Sequence, residues 1–308
     1  MSDGEYTRRT LLRRGTAAIG TGAIASTAGC FGLNPLGGGG GYTNWLPAPD
    51  ELLDEDHYYV TSTNLGTLAA NEDTLGGEPD SLESTWDPVT LDWDEVSTVT
   101  SMAVFTSVVQ ANFNRDDVVE DLEDDDFDDD TDHEGFTIYL SGDEQQAFGV
   151  GDGTLVISAG YGSGDADPVD QVETVIDASN GNVERYTAAS EDMQTLVNKL
   201  GGGAFLSADT YEEQDDDNPE DGNLENSVAQ GTSITINGET SAYKTVVLYE
   251  SADDVDTDDL EDWVDANDGS SSTDGTRFDD VDDISYNADG RAGVISGTID
   301  TDILYEDN

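Results

Sequence analysis

Residues 233–249 read SITINGETSAYKTVVLY. Asn237-Gly238 between two β-rich runs is the strongest short-range hairpin signal in the chain. Both central positions of such a turn need φ > 0, which Asn and Gly tolerate. Residues 233–236 and 239–249 are therefore expected to pair as antiparallel strands. Next, Thr257 stands at the start of a helix whose Leu260, Trp263 and Val264 recur at helical spacing. Residues 284–287 and 291–299, joined by Asp289-Gly290, predict a second hairpin. Hairpin, helix, hairpin is an α+β arrangement, an antiparallel sheet with helices on one face.

The same order occurs earlier in the chain. Val108-Val109 precedes Val246-Val247 by 138 residues (246 − 108), and Val156-Ile157-Ser158 precedes Val294-Ile295-Ser296 by the same interval. Asp121-Leu122-Glu123-Asp124 and Asp259-Leu260-Glu261-Asp262 share that offset. Acidic matches mean little in an Asp-rich chain, but apolar matches at one offset suggest an internal repeat. The expected fold is two tandem α+β lobes, each an antiparallel sheet with helices on one face, for which a ferredoxin-like arrangement is the candidate.

The remaining elements follow from local signals. Residues 57–61 have strand composition, and residues 96–113 form a long β-prone run. Asn114 caps a helix with Asp116 and Asp117 in its first turn, where acids suit the dipole, and with Val118, Val119 and Leu122 as its stripe. Residues 124–132 read as an acidic loop, 136–140 as a strand, and 147–158 as a hairpin turning at Gly151-Asp152-Gly153. Asp167-Pro168 opens a helix that Asn180-Gly181 ends. Ser190 caps another, with Met193, Leu196, Val197 and Leu200 on one face, Lys199 at its negative end and Gly201 after it. Residues 204–211 return as a strand. Residues 160–164 and 268–276 are loops. The acidic stretch 215–226 places the boundary between lobes 45–214 and 227–308.

Ten Lys and Arg stand against 70 Asp and Glu, a net charge of −60. The acids are spread along the chain. In dilute buffer such self-repulsion opposes the compact state, while at 1 M salt the Debye length falls to about 3 Å and screens it. Nucleic acid is excluded as a partner, because phosphate binding needs Lys and Arg.

The N-terminus carries an address. Arg8, Arg9, Arg13 and Arg14 precede an Ala-, Gly- and Thr-rich stretch too weakly apolar to span a bilayer, followed by Ala28-Gly29-Cys30. The run Thr7-Arg8-Arg9-Thr10-Leu11-Leu12-Arg13 resembles a twin-arginine export signal, with Arg8 and Arg9 as the pair. Cys30, the only cysteine, stands where a lipobox would place it, with Thr27 where that motif usually has Leu, Val or Ile. The resemblance implies a signal peptide over residues 1–29, the twin-arginine translocase as partner during export, and a lipid on Cys30. Residues 30–44, with five glycines at 37–41, form the tether. Replacement of Lys by acid on this scale resembles the proteomes of extreme halophiles, and with the signal the chain looks like a haloarchaeal secreted lipoprotein. A lone cysteine used by the anchor leaves no disulfide within the mature chain.

No catalytic constellation emerges. His133-Glu134 is not followed by the second His of a zinc motif, and His57 is in an unrelated context, so both are read as surface residues. Loops around Gly222 and Gly290 lack the terminal Glu of a calcium loop. Gly160-Tyr161-Gly162-Ser163-Gly164 is not a nucleophile elbow. Carboxylate pairs are too abundant to mark a hydrolase. The six cations beyond Cys30 are Arg115, Arg185, Lys199, Lys244, Arg277 and Arg291. They are expected to pair with acids or lie along apolar surface, with Lys244 or Arg291 as the candidates to meet an anionic ligand. No metal, cofactor or catalytic residue is assigned. The function expected is a non-enzymatic interaction or envelope module, held on the outer face of the cell membrane by Cys30, with an unknown surface partner. Two alternatives stay open: a solute-binding lipoprotein with a cleft between the lobes, and a secreted carboxylate-dependent hydrolase.

Overall fold

The computed structural model describes residues 41–53, 55–75, 86–92, 95–103, 105–159, 167–215, 218–219, 223–266 and 278–305. The export signal with Arg8 and Arg9, Cys30, the tether to residue 40, the loops 160–164 and 268–276, Gly222 and Arg277 lie outside them.

Among the described residues, twelve strands form one antiparallel sheet in the order β11-β12-β10-β9-β8-β1-β2-β3-β7-β6-β5-β4. In chain order they are β1 (Val60–Thr63), β2 (Val96–Met102), β3 (Thr106–Ala111), β4 (Phe127–His133), β5 (Phe136–Ser141), β6 (Gln146–Val150), β7 (Thr154–Ala159), β8 (Phe205–Thr210), β9 (Ser227–Asn237), β10 (Thr240–Tyr249), β11 (Asp282–Asp289) and β12 (Ala292–Asp300). The helices are α1 (Pro49–Leu52), α2 (Leu65–Ala69), α3 (Arg115–Asp124), α4 (Pro168–Asn180), α5 (Tyr186–Ala189), α6 (Glu191–Leu200) and α7 (Thr257–Ala266). A 3₁₀ turn, Gly41–Trp45, brings the chain in.

The caps act as their residue types require. Asn114 accepts from the Asp116 amide, Asp167 from Val169 and Ser190 from Met193. Gly181 ends α4 at φ +75°, a left-handed position that a side chain would strain. The cap of α7 is one residue earlier than expected. Asp256 Oδ1 accepts the Asp258 amide at 2.9 Å, and Thr257 is already helical.

Helices cover both faces of the sheet, not one. Val108, Val156 and Val246 point into a cluster with Val172, Val175 and Ile176 of α4 and Met193, Leu196 and Leu200 of α6. Their chain neighbours Val109, Leu155, Ile157 and Val247 point the other way, toward Val118 and Leu122 of α3 and Leu260, Trp263 and Val264 of α7. Strands buried on both faces read as unbroken apolar runs instead of alternating ones. The runs Val108-Val109, 155–157 and 246–249 carried that signal.

Two further expectations are corrected. Residues 127–133 are the edge strand β4, paired with β5 through Asp128↔Leu140 and Asp132↔Thr137, and not a loop. Phe127 anchors it edge-on to Phe148 at 5.4 Å, while the outward aspartates keep an unpaired edge from recruiting another strand. The stretch 215–226 does not divide the sheet. β8 and β9 pair directly across it, from Phe205↔Ile234 to Thr210↔Ala229, so the two expected lobes share one sheet.

The strand pairs on either side follow a common register. β3 meets β7 at Val108↔Val156, and β10 meets β12 at Val246↔Val294. The next strands out meet at Gly149↔Val156 and Asn287↔Val294. Every partner in the second set is displaced by 138 residues from its counterpart in the first. Leu122 and Leu260, separated by the same offset, are both fully buried.

Candidate functional site

The place to look for a site is the seam between the two expected lobes, where α6 lies over β8, β9 and β10. The Ser190 cap and the stripe Met193, Leu196, Val197 and Leu200 fix its orientation, apolar side down. Its flanks carry most of the described cations. At its first turn Asp192 accepts Arg291 Nη2 at 2.5 Å, and Arg291 Nη1 donates to the Tyr249 carbonyl at 3.0 Å. At its last turn Lys199 pairs with the Asp289 carboxylate and donates to the Asp289 carbonyl at 3.0 Å. Lys244 reaches up from β10 and donates to the carbonyls of Lys199 at 3.0 Å and Leu200 at 3.2 Å. Those carbonyls are the orphan acceptors at the negative end of a helix, where a cation is favoured. Burial lowers the Lys244 pKa from its ordinary 10.5. Lys244 and Arg291, the candidates to meet an anionic ligand, are thus bonded within the protein across the seam.

The other two described cations are also bonded within the protein. Arg185 donates from Nε to the Ala178 carbonyl at 2.8 Å and from Nη2 to the Ser179 carbonyl at 2.9 Å, covering the C-terminal end of α4. Its Nη1 donates to Asn44 Oδ1 at 2.8 Å. Arg115 donates to Thr137 Oγ1 at 2.7 Å. Helix-end carbonyls were missing from the expected partners. The proximity of Arg185 to Gly181, a helix stop, was the available signal.

A buried polar group that the sequence did not reveal lies on the α6 side of β1 and β8. The Tyr186 hydroxyl accepts the Tyr58 amide at 3.2 Å and shares a 2.5 Å hydrogen bond with Thr210 Oγ1. Tyr58 donates its own hydroxyl to the Pro47 carbonyl at 2.6 Å, and the two rings lie 4.6 Å apart. Burial raises the pKa of both phenols, which keeps them neutral donors. The group ties the incoming segment to β8.

Of the expected surface histidines, His57 is half-buried, and His133 reaches from the end of β4 to α4. Its Nε2 lies 2.9 Å from Asp177 Oδ1 and its Nδ1 3.6 Å from Glu173 Oε1. Among the described residues no three His, Cys, Asp or Glu side chains group as metal ligands. An open depression of about 380 Å³ beside α5 is lined by Gly181, Val183, Glu184, Arg185 and Gln194, and Arg185 there is engaged as described.

No family model matches this chain, and no curated protein does. Among solved structures, crystal form III of TP0453 is similar with a TM-score of 0.49 at 10% identity, covering 84% of this chain and 95% of that one. Crystal form I of TP0453 gives 0.48 at 10% identity, covering 89% and 96%.

Proposed function

We propose that the chain is a lipid-anchored, non-enzymatic interaction or envelope module, exported by the twin-arginine route and carried on the outer face of a halophile's cell membrane. The address rests on Arg8, Arg9 and Cys30 in the order that such a signal requires. The observation that carries the non-enzymatic part is the engagement of the scarce cations. Arg115, Arg185, Lys199, Lys244 and Arg291 all make bonds within the protein, three of them across the seam where a ligand cleft was the alternative. Among the described residues no helix is long and apolar enough to cross a membrane.

The finer reading of the fold belongs to the same proposal. Two related α+β units, fused through one sheet, account for the shared 138-residue offset of the strand registers and of Leu122 and Leu260. In this reading the β8–β9 pairing and α6 join the units.

Fractionation of cells tests the anchor. Cys30→Ser releases the protein from washed membranes, while the Arg8→Lys, Arg9→Lys double variant stays inside the cell. Unchanged membrane retention of Cys30→Ser removes the anchor, and normal export of the double variant removes the route.

A further inference from the structure

Tyr249, the last residue of β10, is 1% exposed and lies in the cluster on the face of α3 and α7. Among the described residues its hydroxyl has no hydrogen-bond partner. A buried polar group costs free energy unless something satisfies it. Trp86 Nε1 and the Tyr42 hydroxyl are also buried without a partner among those residues. Trp86 Nε1 is a donor only, and at Tyr42 burial alone shifts the phenol. Tyr249 differs from both, because two carboxylates act on it.

Three elements build its surroundings. Ser227 of β9 pairs opposite Tyr249, so the two side chains share a face, and Tyr211 donates its hydroxyl to Ser227 Oγ at 3.3 Å. Above them runs the first turn of α7. A Cβ on Gly293 of β12 would lie 3.4 Å from Tyr249 Cε2 and 2.8 Å from Leu260 Cδ1, so the Tyr249 ring passes beside Leu260 under that helix. Asp256, the cap, and Asp259, in the first turn, are three residues apart and so on one side of α7. Burial raises the Tyr249 pKa, and Asp259, Tyr211 and Asp256 raise it further through their charge. The hydroxyl is therefore a neutral oxygen in the field of two carboxylates. Arg291 bonds to the Tyr249 carbonyl but runs on to Asp192 of α6, whose apolar side joins the cluster on the opposite face.

We propose that an alkali-metal cation binds beneath the first turn of α7, held by the Tyr249 hydroxyl oxygen and the carboxylates of Asp259 and Asp256. A phenol oxygen offers lone pairs while it keeps its proton. Hard cations take oxygen ligands, and carboxylates supply the charge. Like charges at this helical spacing repel, and a cation between them turns that repulsion into attraction. The oxygen count sets the class of ion. Calcium surrounds itself with about 6–8 oxygens, whereas two carboxylates and a phenol suit a monovalent ion. Among the described residues no three His, Cys, Asp or Glu side chains group as metal ligands, which agrees with a monovalent site. Asp256 Oδ1 accepts the Asp258 amide, and Oδ2 is the oxygen left for the ion. Asp256 is exposed and Asp259 half-buried, so the ion enters from solvent at the start of the helix. The inference goes beyond the proposed anchor and does not depend on it. It makes one part of the salt dependence specific to the cation, where screening depends on ionic strength alone.

The test is thermal unfolding of the full chain carrying Cys30→Ser, followed by near-ultraviolet circular dichroism in KCl and in tetramethylammonium chloride at equal molar concentrations. Both salts screen alike, but the methyl groups of the second cation keep oxygen ligands from its charge. The protein is expected to melt about 2–4 °C higher in KCl, because an ion that binds only the native state stabilises it. Tyr249→Phe is expected to lose that difference, and so is Asp259→Asn, which serves if the phenylalanine variant does not fold. Thr174→Ala, on α4 across the sheet, is expected to keep it in full. A Tyr249→Phe protein at least as stable as its parent in both salts would show an orphan hydroxyl with nothing bound. One that loses stability equally in both would assign the place to water. Either result overturns the inference, as does a parent with no KCl preference or a preference that both variants retain. None of these outcomes bears on membrane retention, so the cation site and the anchor are tested separately.

Discussion

Lys244 donates to the carbonyl oxygen of Leu200, 3.2 Å away, and so joins the end of a helix in the expected first lobe, 45–214, to a strand of the expected second, 227–308. Lys199 repeats the link toward Asp289, and Arg291 repeats it from the expected second lobe back to Asp192. A chain with 10 basic residues against 70 acidic ones has few cations to place. Three of them are used on one helix, where they hold its two ends to the sheet.

Removing the first of these links has a cost. Lys244→Met keeps the stem that lies along β10 but removes the donor to the Lys199 carbonyl and leaves the Leu200 carbonyl with the Ser233 hydroxyl alone. It is expected to lower unfolding free energy by about 1–2 kcal/mol, measured by denaturant unfolding in molar salt. An unchanged midpoint would show that water serves those carbonyls equally well.

Tyr186→Phe is the corresponding test on β1 and β8. It leaves the Tyr58 amide without an acceptor and Thr210 without its partner in a buried place. The expected loss is about 1–3 kcal/mol, with the ring packing against Tyr58 retained. Tyr58→Phe, which removes only the donor to the Pro47 carbonyl, tests whether the segment before β1 is held by that bond.

Alkaline pH should unfold the protein earlier than its carboxylates suggest. Burial raises the pKa of Tyr42, Tyr58, Tyr139, Tyr186 and Tyr249 above the ordinary 10.0. The native state then holds protons that the unfolded state releases. Their contribution to stability is complete below pH 10 and is lost as pH rises through and above it. Lys244 acts in the opposite sense, since its lowered pKa makes its contribution rise with pH up to 10.5, but it is one group against five. Phenolate absorbance followed with circular dichroism checks this. Coincident transitions are expected, and phenols titrating at their ordinary pH in a folded protein would contradict it.

Salt dependence follows from the acids. Between 1 M and 0.1 M salt the Debye length grows from about 3 Å to about 10 Å, beyond the spacing of neighbouring carboxylates. The midpoint of thermal unfolding is expected to rise steadily with KCl, and the edge strand β4, with Asp128, Asp129, Asp130 and Asp132, is expected to lose amide protection first in dilute salt. A midpoint insensitive to salt would contradict the halophilic reading.

Much of the fold was legible in the residues. Asn114, Asp167, Ser190 and Gly181 marked helix ends because capping is local chemistry, decided within a turn. Asn237-Gly238 marked its hairpin for the same reason. What failed was non-local. The residues 127–133 look like a solvated loop until β5 supplies a partner, after which the acids suit an edge. The boundary at 215–226 is polar and Pro-containing, yet the strands on either side of it pair. Helices on both faces were signalled by doubly apolar strands such as Val246-Val247, but the choice of face for α4 and α6 against α3 and α7 depends on connections that no local pattern records. The partners of Lys244 and Arg185 were hidden because backbone carbonyls have no letter in a sequence.

The central claim is that Cys30 carries the molecule on a membrane. Intact-mass spectrometry of the protein extracted from native membranes tests it most directly. The account predicts a chain that begins at Cys30 with added lipid mass and lacks residues 1–29. A chain that still carries Arg8 and Arg9, with an unmodified thiol at Cys30, would contradict it.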